Sequence, residues 1–201
     1  MCIFGIMEEI FPFWNYITGM RRQRRRYECH SILDEQAFSE FGSLSETQLM
    51  GRLKEEHQRA SSMDDKTFKL TISLSVGLTV LGSTAATLIR AVSWEAAQIT
   101  ISVFLALGLF YVLAAGFVAL GALRTVRTYG YGTDFLLQQQ GDAQNVLADA
   151  LARQETVNNI RHLRNETAYQ ALRNGLLLIF VALLIFAATL AFQSLCPLVT
   201  F

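Results

Sequence analysis

The stretch LTISLSVGLTVLGSTAATLI, residues 70–89, decides the fold of this chain. Its twenty residues carry no charge. A helix of that length is roughly 30 Å long, which is about the thickness of the hydrocarbon core of a bilayer. The stretch therefore predicts a transmembrane helix.

Hydroxyl side chains recur at every fourth position of this span: Thr71, Ser75, Thr79, Ser83 and Thr87. Because an α-helix has 3.6 residues per turn, these side chains lie along one slowly winding face. That face either packs against neighbouring helices or borders water. Packing needs no further assumption, since Ser and Thr return a hydrogen bond to the carbonyl one turn back. A narrow wet pore formed by several copies would use the same residues as its lining.

The composition extends the membrane prediction to two further runs. Hydrophobic residues make up 52% of the 201 residues and charged residues only 17%, whereas charged residues average about a quarter of a soluble domain. The apolar excess also fills residues 96–123 and 174–195. We therefore predict an all-α membrane protein with three transmembrane helices. Residues 70–123 contain the first two spans, and residues 174–201 contain the third span and a short outer tail.

The basic residues predict the orientation of these spans. Ten Lys and Arg precede Leu70, one lies between the first two spans, six lie in 124–173, and none follows. By the positive-inside rule the amino terminus and 124–173 are cytoplasmic, and the carboxyl terminus is outside. In a bacterium, this orientation would place the protein in the inner membrane with a periplasmic carboxyl terminus.

Residues 1–42 form an apolar and aromatic segment followed by a basic cluster, the reverse of the order in a secretory signal. One interpretation is a helix that lies on the inner leaflet. The other is a plug that closes the cytoplasmic mouth of a pore, with Phe11, Phe13 and Trp14 as the gate.

The basic cluster contains Arg21, Arg22, Arg24, Arg25 and Arg26. Retention on the cytoplasmic side explains it without a ligand. A polyanion such as a nucleotide or single-stranded DNA is the alternative partner, because phosphates attract such a run and neighbouring aromatic rings stack bases.

Two polar stretches predict cytoplasmic helices. In 43–69, Ser43 with Glu46 or Ser45 with Gln48 offers a capping box, and the helix is expected to continue into the first span. Its exposed side is expected to carry Lys54, Glu55, Glu56 and Arg59. In 124–173, glycines at 130 and 132 end the preceding helix. From 143 to 172, apolar residues recur every three or four positions, which predicts an amphipathic helical stalk that packs on 43–63.

Chemistry typical of an enzyme is absent from the sequence. No phosphate-binding loop, dinucleotide fingerprint or nucleophile elbow occurs, and the spans contain no Asp, Glu, Lys, Arg or His. Cys2, Cys29 and Cys196 show no metal-ligand spacing. We therefore expect no catalytic residue, metal or cofactor.

Acidic residues flank the first span at both ends. Asp64 and Asp65 precede it, and Glu95 follows it. In an assembly of several copies, four in the simplest arrangement, these carboxylates would form rings at the pore mouths that favour cations.

The layout of residues 44–195 resembles small membrane effectors of bacterial antiphage defence, the SLATT and Pycsar-type proteins. The likeness is carried by residues 64–67 before the first span and by Asn158-Asn159, Asn165-Glu166, Tyr169 and residues 172–176 before the last. The channel effectors of the Hailong system look similar, and there a partner nucleotidyltransferase makes DNA oligomers that hold the effector shut. The resemblance implies an abortive-infection effector in which Arg21 to Arg26 meet that DNA.

Two hypotheses follow from these observations. The first is a homo-oligomeric gated ion channel that depolarises the cell when a cytoplasmic nucleotide ligand is released. The second is a membrane-anchored helical scaffold that binds a protein partner and does not conduct.

Overall fold

The computed structural model describes residues 12–29, 41, 43–123, 128–132, 135 and 143–195. The regular elements in these ranges are four α-helices: α1 (Pro12–Cys29), α2 (Glu46–Arg90), α3 (Glu95–Leu123) and α4 (Ala143–Leu195). The prediction of an all-α chain is confirmed for this part of the protein.

Helices α2, α3 and α4 are each long and apolar enough to cross a membrane. They contain the three predicted spans, and they support a membrane location for the protein. As predicted, α2 runs without interruption from its polar start into the first span. Likewise α4 joins the polar stretch after residue 143 to the third span.

A capping box starts α2. The Ser45 amide donates to Gln48 Oε1 at 2.9 Å, and the Gln48 amide donates to Ser45 Oγ at 3.4 Å. These two bonds satisfy backbone donors that have no partner within the helix. Of the two boxes that the sequence offers, the helix uses the second.

The chain divides into two compact units, and the divisions fall inside α2, α3 and α4. The apolar unit contains, among the described residues, Pro12, 69–119 and 167–195. The polar unit contains 13–68 and 120–166, as far as these are described.

In the apolar unit, α3 and α4 approach closely at two glycines. A Cβ atom on Gly108 would lie 3.0 Å from the carbonyl oxygen of Gly175, and one on Gly175 would lie 2.9 Å from that of Gly108. The absence of both side chains lets the two backbones meet, which is the usual role of small residues between transmembrane helices.

In the polar unit, α2 and α4 share a core of Leu49, Leu53, Leu147, Ala148, Ala150 and Leu151. The predicted packing of the stretch after residue 143 on 43–63 is therefore present. The segment 128–132 packs against this core, since a Cβ atom on Gly130 would lie 2.5 Å from Leu53 Cδ2. Gly130 has a φ of 81°, a conformation that glycine adopts without strain.

Helix α1 begins at Pro12 and continues through the basic cluster to Cys29. Proline is favourable at the first position of a helix because its missing amide hydrogen would have no partner there. The helix therefore contains both the end of the apolar segment and the basic cluster. For residues 29–42 the mixed sequence predicts a short helix and a turn, and most of this stretch lies outside the described residues, as does Phe11.

Candidate functional site

The hydroxyl stripe, defined as Thr71, Ser75, Thr79, Ser83 and Thr87, lies on the surface of the apolar unit. Thr71 is half-buried and the other four side chains are exposed. The buried face of the same helix carries Leu70 and Leu74 instead. The helices of the same chain therefore cover Leu70 and Leu74 and leave the hydroxyl groups exposed, together with Ile72, Val76 and Val80.

Four of these hydroxyls donate hydrogen bonds to carbonyls of their own helix. Ser75 donates to the Thr71 carbonyl at 3.0 Å and Thr79 donates to the Ser75 carbonyl at 2.9 Å. Ser83 and Thr87 donate to the carbonyls of Val80 and Thr84, at 2.8 Å and 2.6 Å. A hydroxyl has one hydrogen to donate and two lone pairs. Because the hydrogens point back to the helix, what these groups offer outward is acceptor oxygen.

The stripe winds around α2. Each step of four residues advances about 400°, which is 40° beyond a full turn, so the five positions cover an arc of about 160°. Ser75, Thr79 and Ser83 lie within about 80° of each other and form its most coherent part.

Two further hydroxyls lie on another side of α2. Ser73 donates to the Lys69 carbonyl at 3.0 Å, and Thr84 donates to the Val80 carbonyl at 2.9 Å. By helical geometry they lie about 150° from Ser75 and Thr79. They provide the same chemistry away from Ser75 and Thr79, which makes them controls for these two residues, whereas Thr87 lies within about 60° of Ser73 and Thr84.

The predicted acidic residues differ in their surroundings. Asp65 and Glu95 are exposed, and Glu95 is the first residue of α3. Asp64 is half-buried and forms an ion pair with Arg161, with 3.4 Å between Oδ2 and Nη1. The charge of Asp64 is thus already partly compensated within the chain.

The predicted gate and polyanion residues lie on α1. Trp14 is 66% exposed, and Phe13 is half-buried. Arg21 and Arg22 are exposed. The remaining arginines, at 24, 25 and 26, lie on the helical backbone of α1, and their side chains are outside the described part. α1 packs in the polar unit, since a Cβ atom on Gly19 would lie 2.7 Å from Leu163 Cδ2.

The sequence did not predict a buried hydrogen-bond network between α2 and α4, called the polar ladder below, which is formed by Glu56, Gln154 and Asn158. Asn158 is fully buried, and its Nδ2 donates to the backbone carbonyl of Glu56 at 2.8 Å and to Glu56 Oε2 at 2.7 Å. The Nε2 of Gln154, also fully buried, donates to Asn158 Oδ1 at 3.1 Å. The expectation that Glu56 is exposed is wrong: it is 6% exposed, because the Asn158 amide offers its carboxylate a buried hydrogen-bond donor.

The ladder continues toward the first span. The Thr67 hydroxyl lies 2.8 Å from Asn165 Oδ1 and is 2% exposed. Positions 154, 158, 161 and 165 on α4 follow the spacing of a helix-packing seam. The same spacing is present in the sequence, but residues 154, 158, 161 and 165 are polar, and polar residues at a helical repeat ordinarily indicate an exposed face.

The ladder also holds the segment after α3. The backbone amide of Tyr129 donates to Gln154 Oε1 at 3.1 Å, and Nε2 of His57 lies 2.8 Å from the Tyr129 carbonyl oxygen. The rings of His57 and Tyr131 are 4.3 Å apart between centroids. Among the residues that the structure describes, no group of three metal-ligating side chains comes together.

Comparisons with protein-family models, curated proteins and solved structures found no match to this chain.

Proposed function

We propose that this protein is a homo-oligomeric, gated ion channel of the bacterial inner membrane, in which copies of residues 70–89 surround the pore. The observation that supports the proposal is the exposure of Ser75, Thr79, Ser83 and Thr87 on a membrane span whose leucines are the covered residues. In an assembly of several copies, these hydroxyl groups and the exposed Ile72, Val76 and Val80 of the same span would be shared between the pore and the contacts among copies.

The hydrogen-bond pattern favours cations as the conducted ions. Since the described hydroxyl hydrogens of the stripe point to carbonyls of α2, the groups would present partial negative charge to the pore. Oxygen ligands of this kind replace part of the hydration shell of a cation. Exposed Asp65 and Glu95 would add negative charge near the two ends of the span. Opening such a pore would depolarise the cell, because about 2.3 kcal/mol is released per charge and 100 mV.

The winding of the stripe constrains the assembly. A repeat of four residues exceeds the 3.6 residues of a helical turn, so a stripe with this repeat stays on a common axis only when neighbouring helices cross in the right-handed sense. Ser75, Thr79 and Ser83 would then form the narrow part of the pore. Four copies are the simplest assembly for a channel of this size.

The amino-terminal segment would provide the gate. Trp14 on α1 offers an exposed apolar surface for a closed state, with Phe11 and Phe13 beside it in the sequence. The arginines at 21, 22 and 24–26 would bind a nucleotide or single-stranded DNA that keeps the channel shut, and loss of this ligand would open it in abortive-infection antiphage defence. Replacing all five arginines by Gln should abolish salt-sensitive oligonucleotide binding.

Ion flux through liposomes tests the pore directly. The double variant Ser75→Leu with Thr79→Leu should abolish flux, because it replaces two lining oxygens with large apolar groups. The matched control is Ser73→Leu with Thr84→Leu, which makes the same chemical change on a different side of the same helix and should retain flux. Equal flux through both double variants would exclude the assignment of the lining.

A non-conducting scaffold is the second candidate. It is favoured by the same hydrogen bonds, since a hydroxyl that donates to its own helix is satisfied in lipid without water. Its cytoplasmic helices would bind a protein partner. A scaffold would show no flux in the wild-type protein, and its partner binding would survive Ser75→Leu with Thr79→Leu.

A further inference from the structure

Two arginines of α4 in the polar unit carry charge that the chain only partly compensates. Arg161 and Arg164 lie three residues apart and therefore on the same side of the helix. Arg161 is 8% exposed, and Arg164 is half-buried. The Nε atoms of both are buried and have no hydrogen-bond partner in the described structure.

The contacts that these arginines do make involve one carboxylate. Nη1 of Arg161 lies 3.4 Å from Oδ2 of Asp64, whose side chain is 47% exposed. Nη1 of Arg164 donates to the backbone carbonyl of Gly121. Within the described ranges, therefore, Arg161 is paired with one carboxylate, whereas Arg164 has a neutral backbone carbonyl as its partner. Buried charge without a counter-charge is strongly unfavourable, so an anion from outside the chain would stabilise this site.

The position of the pair along the helices indicates which anion is available. Gly121 lies two residues before the end of α3, an apolar helix. The Thr67–Asn165 hydrogen bond, next to the pair on α4, lies three residues before the first span. Counted along their own helices, both landmarks therefore lie within three residues of an end of a predicted span. In a bilayer, lipid headgroups occupy this depth, and basic pockets at the ends of transmembrane helices bind anionic headgroups.

We propose that Arg161 and Arg164 bind the phosphate of an anionic phospholipid headgroup. Arginine suits this ligand because its planar guanidinium group donates paired hydrogen bonds to phosphate oxygens. Asp64 orients Arg161, while the half-buried Arg164 provides the accessible part of the site. The lipid site does not depend on conduction, since a scaffold in the same membrane would have it too.

Thermal unfolding of the full-length protein in detergent tests the site. Titration with dioctanoyl phosphatidylglycerol should raise the unfolding temperature, because a ligand that binds the folded state stabilises it. Dioctanoyl phosphatidylcholine and inorganic phosphate at the same concentrations should have little effect. Arg164→Gln should weaken the response to phosphatidylglycerol about tenfold, as expected for loss of a charge-assisted hydrogen bond.

The control is Arg153→Gln on the same helix, which removes an exposed arginine paired with Asp149 and should leave the titration unchanged. If Arg164→Gln does not fold, Arg164→Lys keeps the charge without the planar fork and should show an intermediate response. An unchanged titration in both Arg164 variants would overturn the site. An equal effect of inorganic phosphate would overturn the lipid as its source.

Discussion

At the scale of single residues, Asn158 controls how a charged group is buried in the polar unit. Glu56 is the buried carboxylate among the described residues, and Asn158 Nδ2 donates to its Oε2 at 2.7 Å. Arg59 is more distant at 3.5 Å and is largely exposed. The amide of Asn158 is therefore the principal buried partner of this carboxylate.

Asn158→Leu should lower the free energy of unfolding by about 3 kcal/mol, because it leaves a buried carboxylate and a backbone carbonyl without their donor. Thermal or denaturant unfolding in detergent measures the change. Asn159→Leu is the control, since Asn159 is the exposed neighbour. The double variant Glu56→Leu with Asn158→Leu should recover part of the loss, because it removes the buried charge as well. Equal stability of the two single variants would contradict this role.

At the scale of helices, the glycines of α3 differ in how closely they pack against α4, although they look alike in the sequence. Gly108 lies against Gly175 and Ile179 of α4, whereas a Cβ atom on Gly116 would meet nothing within 4 Å. The surroundings of Gly121 are intermediate, since a Cβ atom added there would lie 3.9 Å from Arg164 Nη1. Of these three glycines, only Gly108 allows close contact with the backbone of α4.

Gly108→Val should destabilise the protein by about 1–3 kcal/mol, because the added methyl groups would force α3 away from α4. Gly116→Val should change stability little, since the surrounding space is open. Unfolding of both variants in the same detergent gives the comparison. A loss in Gly116→Val as large as that in Gly108→Val would show that the close contact does not determine the packing.

The segment between α3 and α4 allows a similar comparison. Gly130 and Gly132 both have positive φ angles, of 81° and 98°. Only Gly130 also lies against the buried Leu53. Gly132→Ala should cost about 1–2 kcal/mol from backbone strain alone, and Gly130→Ala should cost more because Leu53 has no room to move. Unfolding measurements that give equal losses would exclude the steric contribution.

At the scale of the whole molecule, membrane crossings by both α2 and α3 would place the residues before α2 and those after α3 on the same side of the membrane. The distribution of basic residues predicts that this side is cytoplasmic and that the turn at 91–94 is outside. The predicted pore, gate and ligand positions all depend on this orientation.

Cysteine labelling tests the orientation in a variant whose Cys2, Cys29 and Cys196 are replaced by Ser. In intact cells of a bacterial expression host, a membrane-impermeant maleimide should label Ser93→Cys. It should label Ser61→Cys only after lysis. Both positions are exposed in the folded chain, so access to the reagent depends on the membrane. The reverse labelling pattern would invert the topology.

The sequence by itself determined the helical class and the three spans, because an uncharged run of twenty residues has few alternatives to a transmembrane helix. It also limited the start of α2 to two capping boxes, since capping is a local interaction, and the structure uses the one at Ser45 and Gln48. The hydroxyl stripe followed from spacing alone, although its pore-lining role stays a prediction.

Only the tertiary structure decided which faces of these helices are covered. The burial of Glu56 and Asn158, the contact of Gly108 with Gly175, and the incomplete compensation of Arg161 and Arg164 all depend on which helix lies opposite. Periodicity assigns a residue to a face of its own helix, but which helix packs against that face depends on contacts between residues distant in the sequence. The physical reason is that polar side chains at buried positions are stabilised by a specific partner distant in sequence, which local pattern does not specify.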